Sequence, residues 1–347
     1  MKITAGLGAL EDYERLSAAG ANELFAGFVP LDWLERYANF TPLNRREVLL
    51  QGIQLSTMDE MRLLTRRIAD TGVPVALTFN STCYLPEQYP RIAEMLEALG
   101  ELGFQDWILA DPALLYHLHT RGIPGRVHLS GEAGCFSPDA LRFFARMGVS
   151  RCIFPRKITP EEMAAFPRAL PELEYEAFAL NELCHYSGAF CASLHCDELE
   201  HLCCVPYRPS GPAFSGGAPA QRRWSEAGPQ ATPSGPDCPS EHALQSPDAG
   251  PEAGALQRQC AESIPEEESF SPFGESGCAL CALPALRRAG VTHLKIVGRG
   301  AHPESIARDI RLLRRALALG DASPEALRTL LPGRRCAGRC YYPNALL

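Results

Sequence analysis

The sequence predicts a closed (β/α)₈ barrel, a TIM-like α/β fold, on three observations. Short apolar runs alternate strictly with amphipathic helical stretches along the chain. The runs are near-continuously apolar, as expected for strands buried on both faces. The unit recurs eight times, and about eight parallel βα units close a barrel. A doubly wound open sheet is the alternative architecture for the same alternation.

The first strand is expected at 2–6 (KITAG), followed by an amphipathic helix over 9–19. The Gly20-Ala21-Asn22 turn introduces strand 23–28 (ELFAGF). A longer helical stretch spans about 44–71, broken near Gly52. Strand 73–80 (VPVALTFN) is β-branched and aromatic, the composition of a buried strand. Helix 88–102, strand 105–111, helix 112–121 and strand 126–131 continue the alternation, followed by helix 138–147, strand 151–156, helix 160–167 and strand 173–180. A cysteine-rich loop and a long insertion come next. Helix 282–289, strand 293–299, helix 303–319 and a short helix near 324–331 complete the folded part.

Residues 209–277 break this pattern. Twenty of them are Pro or Gly, and no helical or strand period survives. Such a segment buries too little apolar surface to offset its ordering entropy, so disorder is expected. The domain reading is therefore one barrel from 1–208 and 278–332, an acidic low-complexity insertion over 209–277, and a cysteine-containing tail over 333–347. The insertion holds ten acidic residues and three Arg, so most of the net charge of −8 belongs to it. The barrel itself is near neutral, without the basic stripe that general nucleic-acid binding needs. No apolar run reaches the roughly 18 residues of a membrane span. The N-terminus lacks a basic region leading into an apolar one, which points to the cytoplasm.

Fourteen cysteines in a reducing compartment favour metal chemistry over disulfides. Five stand at 184, 191, 196, 203 and 204, directly after strand seven; Cys278 and Cys281 follow the insertion. Both groups belong to the C-terminal mouth of the barrel by topology, where barrel enzymes keep their chemistry. Thiolates from two such segments suit an iron–sulfur cluster or a four-cysteine zinc site, and spacing does not choose between them. Cys83, Cys135 and Cys152 read as ordinary buried thiols, and Cys238 and Cys260 as bystanders in the insertion. Cys336 and Cys340 read equally as tail ligands or inert thiols. The polar residues expected at the mouth are Asn80, Asp111, Ser130, Glu132, Arg156, Asn181, Lys295 and Arg299. Of these, Arg156, Lys295 and Arg299 suit a carboxylate-bearing co-substrate, and Asn80 and Asp111 a polar substrate contact. Neither HExxH nor GxSxG occurs, so the sequence offers no recognisable protease constellation.

Several segments carry a family resemblance. LEYEAFALNELCHYSGAFCAS resembles the signature of the collagenase-like U-32 peptidases through Glu176, Phe178, Cys184, Ser187, Gly188, Cys191 and Ser193. Asp111-Pro112, His128 with Ser130, and Arg156 match strand-end elements of that family. Cys204, Pro206 and Arg208 match its Cys-x-Pro-x-Arg element, and the block from Cys278 to Arg299 resembles its Lys-Ile-Glu-Gly-Arg region, with Val297 in place of Glu. The resemblance implies a (β/α)₈ barrel and a 4Fe-4S cluster held by Cys184, Cys191, Cys204 and Cys278, with Cys203 and Cys281 as alternates. It also implies an oxygen-independent hydroxylase or other modifying enzyme. The substrate would be a ubiquinone precursor or an RNA base, with prephenate as a co-substrate. The peptidase activity of the family's name is one alternative. A non-catalytic iron–sulfur subunit, paired with a related family member, is another.

Overall fold

In a computed structural model of the chain the described residues are 1–37, 41–45, 53–184, 191, 277–331 and 339–343. The chain divides into two units, Met1–Cys204 with Ser271–Leu347, and Val205–Phe270. The second lies outside the described residues, as do Cys196, Cys203, Cys204 and Cys336.

Eight strands form a closed barrel in sequence order: β1 Lys2–Leu7, β2 Glu23–Gly27, β3 Val75–Phe79, β4 Asp106–Leu109, β5 Arg126–Leu129, β6 Val149–Ile153, β7 Glu174–Leu180 and β8 His293–Ile296. Every neighbouring pair is parallel, and β8 closes on β1 through Lys2↔His293 and Thr4↔Lys295. The closed barrel displaces the open-sheet alternative. Helices on the outer face bury apolar stripes against the strands, with Leu96, Leu99, Leu141, Ile306, Ile310 and Leu313 each at most 2% exposed.

Local sequence fixes the helix starts. Asp111 caps helix Pro112–Arg121 by accepting from the Ala113 N–H, and Pro112 occupies its first turn. Ser137 and Ser323 cap helices Pro138–Ala145 and Pro324–Arg328 in the same way.

Two helix expectations need correction. The stretch expected over 44–71 is helical only over Met58–Thr71 among the described residues. Thr57 and Glu60 form a reciprocal capping box that fixes the start there, and Leu55 before it is extended and bridged to Phe28. An additional helix, Leu31–Tyr37, buries Trp33 against the barrel. The helix expected over 160–167 is two short pieces, Pro160–Met163 and Ala165–Ala169. Cys135 and Cys152 are buried as expected, whereas Cys83 is exposed.

Candidate functional site

The barrel interior carries two polar groups of different character. The deeper one centres on Arg151 of β6, which is 3% exposed. Its Nη1 and Nη2 donate to Glu23 at 2.6 and 2.9 Å. Its Nε donates to Glu174 at 2.9 Å, and Nη1 also reaches Glu176 at 3.1 Å. On the other side of Glu176, Lys295 Nζ donates to Oε1 at 2.8 Å and sits 3.7 Å from the centre of the Phe25 ring. Burial works against the Glu176 charge, but Lys295 and Arg151 outweigh it and hold the carboxyl down at about 2. Burial likewise pulls Lys295 below its ordinary value, against the attraction of Glu176. His293 is pushed down to about 4 by burial and the Arg151 charge. Lys295, expected at the mouth, therefore lies inside the barrel and is committed to an ion pair.

The second group lies at the C-terminal mouth, on the segments that follow the strands. Arg156 and Arg45 flank one carboxylate, Glu132, with Arg156 Nη1 at 3.3 Å and Arg45 Nε at 3.6 Å. The Arg156 guanidinium rests 4.0 Å from the centre of the Phe178 ring. Burial opposes its charge, yet Tyr341, Glu132 and Glu182 raise its pKa above the ordinary value. Arg45 is held by two further bonds: its backbone N–H donates to Asn80 Oδ1 at 3.0 Å, and Nη2 donates to the Cys191 carbonyl at 2.8 Å. The Nε groups of Arg45 and Arg156 are buried without a hydrogen-bond partner among the described residues. The Arg45 Nε still faces Glu132 across 3.6 Å, whereas the buried Arg156 Nε is costly to leave unbonded unless an acceptor arrives, so Arg156 suits an anionic ligand.

Arg299 spans the top of the barrel between these groups. Its Nη1 donates to Thr78 Oγ1 at 3.0 Å and to Gln54 Oε1 at 3.1 Å. Gly27 leaves it room, because a Cβ there would stand 1.5 Å from Gln54 Oε1 and 2.2 Å from Arg299 Nη1. Asp111 is committed to its helix cap and to Tyr89, whose hydroxyl donates to it at 3.0 Å. Burial, reinforced by that carboxylate, pushes Tyr89 up to about 12.

The cysteine segments meet at the end of β7. Leu180 bridges to Cys278, and the Asn181 N–H donates to the Gly277 carbonyl at 2.9 Å. Asn181 and Glu182 take left-handed φ values of 67° and 48°, a costly conformation for Glu in particular. That turn delivers Cys184 beside the returning Cys278 segment. The turn is held by Asn181 Nδ2, which donates to Asp309 at 3.0 Å and to the Val297 carbonyl at 3.3 Å. The tail closes the same place: Tyr341 stacks on Phe178 at 6.0 Å and donates to the Asn181 carbonyl, and Tyr342 donates to the Phe178 carbonyl at 3.0 Å.

Cys184, Cys191 and Cys278 are half-buried. The Leu280 N–H donates to Cys278 Sγ at 3.4 Å, a bond that stabilises a sulfur ligand carrying negative charge. Among the described residues, no three His, Cys, Asp or Glu side chains are already gathered as a metal site. Cys204 and its alternate Cys203 lie outside the described residues. Sequence reading missed Arg45 and the Arg151 network. Arg45 gave no local signal, since its contact to Cys191 spans 146 positions.

Comparison with known proteins identifies the family. The sequence model of the family described as Peptidase family U32 matches residues 8–329. The tRNA hydroxylation protein P of Escherichia coli (strain K12) is 30% identical over 94 residues, covering 27% of this chain and 21% of that protein. Its namesake from Haemophilus influenzae (strain ATCC 51907 / DSM 11121 / KW20 / Rd) is 30% identical over 82 residues, 23% of this chain and 18% of that one. The matched part is thus about a fifth of the length of these relatives. Among solved structures, the U32 peptidase Mk0906 aligns over 52% of this chain and 69% of its own, at 16% identity and a TM-score of 0.40. With the family match running through nearly all of the barrel, the chain belongs to peptidase family U32.

Proposed function

We propose that this protein is an iron–sulfur-dependent RNA-modifying enzyme of the hydroxylase type, acting at the C-terminal mouth of the barrel. The observation that carries the reading is the meeting of the Cys184 and Cys278 segments at the end of β7, beside the guanidinium groups of Arg45 and Arg156, the latter with a buried Nε that has no hydrogen-bond partner among the described residues. Cys184, Cys191 and Cys278, with Cys204, would hold the cluster. The fit rests on the half-burial of Cys184, Cys191 and Cys278, the N–H bond to Cys278 Sγ and the strained turn before Cys184. Such a cluster supplies one-electron chemistry when bound.

The chain's own residues divide the remaining work. Arg45 positions the Cys191 segment through its carbonyl, and with Arg156 it presents donors to an anionic group, a carboxylate co-substrate or an RNA phosphate. Phe178 and Tyr341 form the aromatic wall on which Arg156 rests. Glu132 keeps both guanidinium groups in place when no ligand is bound. An RNA substrate is favoured by the two tRNA hydroxylation relatives and by the site's cationic donors. The near-neutral body favours specific contacts at the mouth over general RNA affinity.

Nucleoside mass spectrometry tests this directly. RNA from cells lacking the gene should lose one hydroxylated nucleoside. The wild-type gene should restore it, and the Cys184→Ala gene should not. An unchanged nucleoside profile in the deletion would remove the RNA reading.

A further inference from the structure

Cys340 has no part in the cluster described above, yet the fold sets it against one of the cluster's cysteines. Cys278 donates its N–H to the Arg339 carbonyl, and its own carbonyl accepts from the Tyr341 N–H, each at 2.9 Å. These two bonds bracket Cys340 and pair it with Cys278 as in a parallel sheet. Paired residues on neighbouring strands lie about 4.8 Å apart and send their side chains to the same face. A disulfide spans about 4.4–6.8 Å between Cα atoms, so this pairing is within its reach.

The surroundings favour the same bond. Cys278 and Cys340 line one small pocket, together with Cys281 and Tyr342, and its remaining walls are Ala and Leu side chains. Both thiols are half-buried, unlike the sealed Cys135 and Cys152, which are at most 1% exposed, so a small oxidant can reach them. The tail is anchored by the Tyr342 hydroxyl on the Phe178 carbonyl at 3.0 Å, so Cys340 is in place before any bond forms. Cys281 is turned to another partner. It lies on the turn Leu280–Ala282, and its sulfur accepts from Arg328 Nε at 3.4 Å.

We propose that Cys340 is a resolving thiol for Cys278, forming a reversible disulfide with it when peroxide meets the cluster-free chain. Its importance to the enzyme rests on the reading of Cys278 as a cluster ligand. One thiol sulfur attacks hydrogen peroxide; the O–O bond breaks, the sulfur becomes a sulfenic acid, and the departing hydroxide leaves as water with the thiol proton. The second sulfur then displaces that hydroxyl as another water, and an S–S bond forms. The peroxide has taken the electron pair that the two thiols lost. The disulfide stops Cys278 short of sulfinic acid, which is not recovered by simple thiols, and withholds it from iron until reduced.

The test uses the full chain, freed of metal by chelation under anaerobic conditions and then treated with hydrogen peroxide. Peptide mapping by mass spectrometry without reductant should find Cys278 joined to Cys340 in most wild-type molecules, and dithiothreitol should release it. In Cys340→Ser the same treatment should carry most of Cys278 to sulfinic or sulfonic acid. Untreated Cys340→Ser should take up as much iron and sulfide as wild type, which separates a resolving thiol from a ligand. Circular dichroism melts establish that Cys340→Ser is folded; if it is not, the wild-type link and its release decide. Wild type without that link overturns the proposal. So does Cys278 joined instead to Cys281 or Cys184, Cys278 oxidised to the same extent in both proteins, or iron lost from untreated Cys340→Ser. Wild type that forms the link but takes up no iron would leave the thiol pair standing and remove the iron–sulfur reading.

Discussion

Two arginines, Arg151 inside the barrel and Arg156 at its mouth, stand in opposite states. Arg151 is surrounded by three carboxylates, and its Nε, Nη1 and Nη2 all donate to one or more of them. Arg156, higher in the barrel, shares one carboxylate with Arg45 and keeps a buried Nε unused. Ion pairs completed within the fold can hold it together but have little to offer a ligand. Donors left incomplete in a protected place cost stability that a bound anion returns. This division follows the general plan of the barrel fold, with stability toward the N-terminal end of the strands and chemistry at the C-terminal end.

The largest expected effect breaks the lower group. Arg151→Met leaves Glu23 buried without its partner and Glu176 with Lys295 alone, and should cost about 3–5 kcal/mol of unfolding free energy in urea titration. Arg156→Met should cost about 1 kcal/mol or less, because Arg45 still pairs with Glu132. Equal losses in the two variants would erase the distinction. Gly27→Ala tests the layer between them: the added Cβ must displace Gln54 and Arg299, for roughly 1–3 kcal/mol.

Acid should act first on the lower group as well. His293 titrates at about 4 in the fold against an ordinary 6.5, and Glu176 at about 2 against 4.5. Between each pair of values the unfolded chain binds more protons than the folded one, so stability rises with pH. It should therefore fall as pH drops from about 6.5 toward 4, and again toward 2. Urea midpoints across this range measure it, and Glu176→Gln should flatten the lower window. The smallest structural effect is expected for Arg45→Lys, within about 0.5 kcal/mol. Loss of the planar donor set should nonetheless weaken binding of an anionic substrate about tenfold, or ~1.5 kcal/mol, by equilibrium titration.

The barrel was legible because βα alternation is a local signal repeated eight times. The convergence of the Cys184 and Cys278 segments was legible for the same reason, since topology alone sends both to one mouth. Helix 44–71 was overread because apolar periodicity ran across its true start, although Thr57 and Glu60 carried the capping box in plain view. Asp111 read as a substrate contact, yet an Asp before Pro at a strand end is also an ordinary helix cap. The Arg151 network and the Arg45 clamp left no such trace. Glu23 and Arg151 are 128 positions apart, so their pairing exists only once the barrel has closed. Lys295 shows the limit from the other side: a lysine near a strand end can point to the mouth or to an interior carboxylate, and here Glu176 takes it.

The most direct measurement is iron and acid-labile sulfide in the anaerobically purified full chain, alongside its Cys184→Ala variant. An iron–sulfur centre at the mouth predicts brown protein with roughly four irons per chain, lost on Cys184→Ala and retained on Cys260→Ala. Colourless wild type without iron, or a full iron complement in Cys184→Ala, would contradict it.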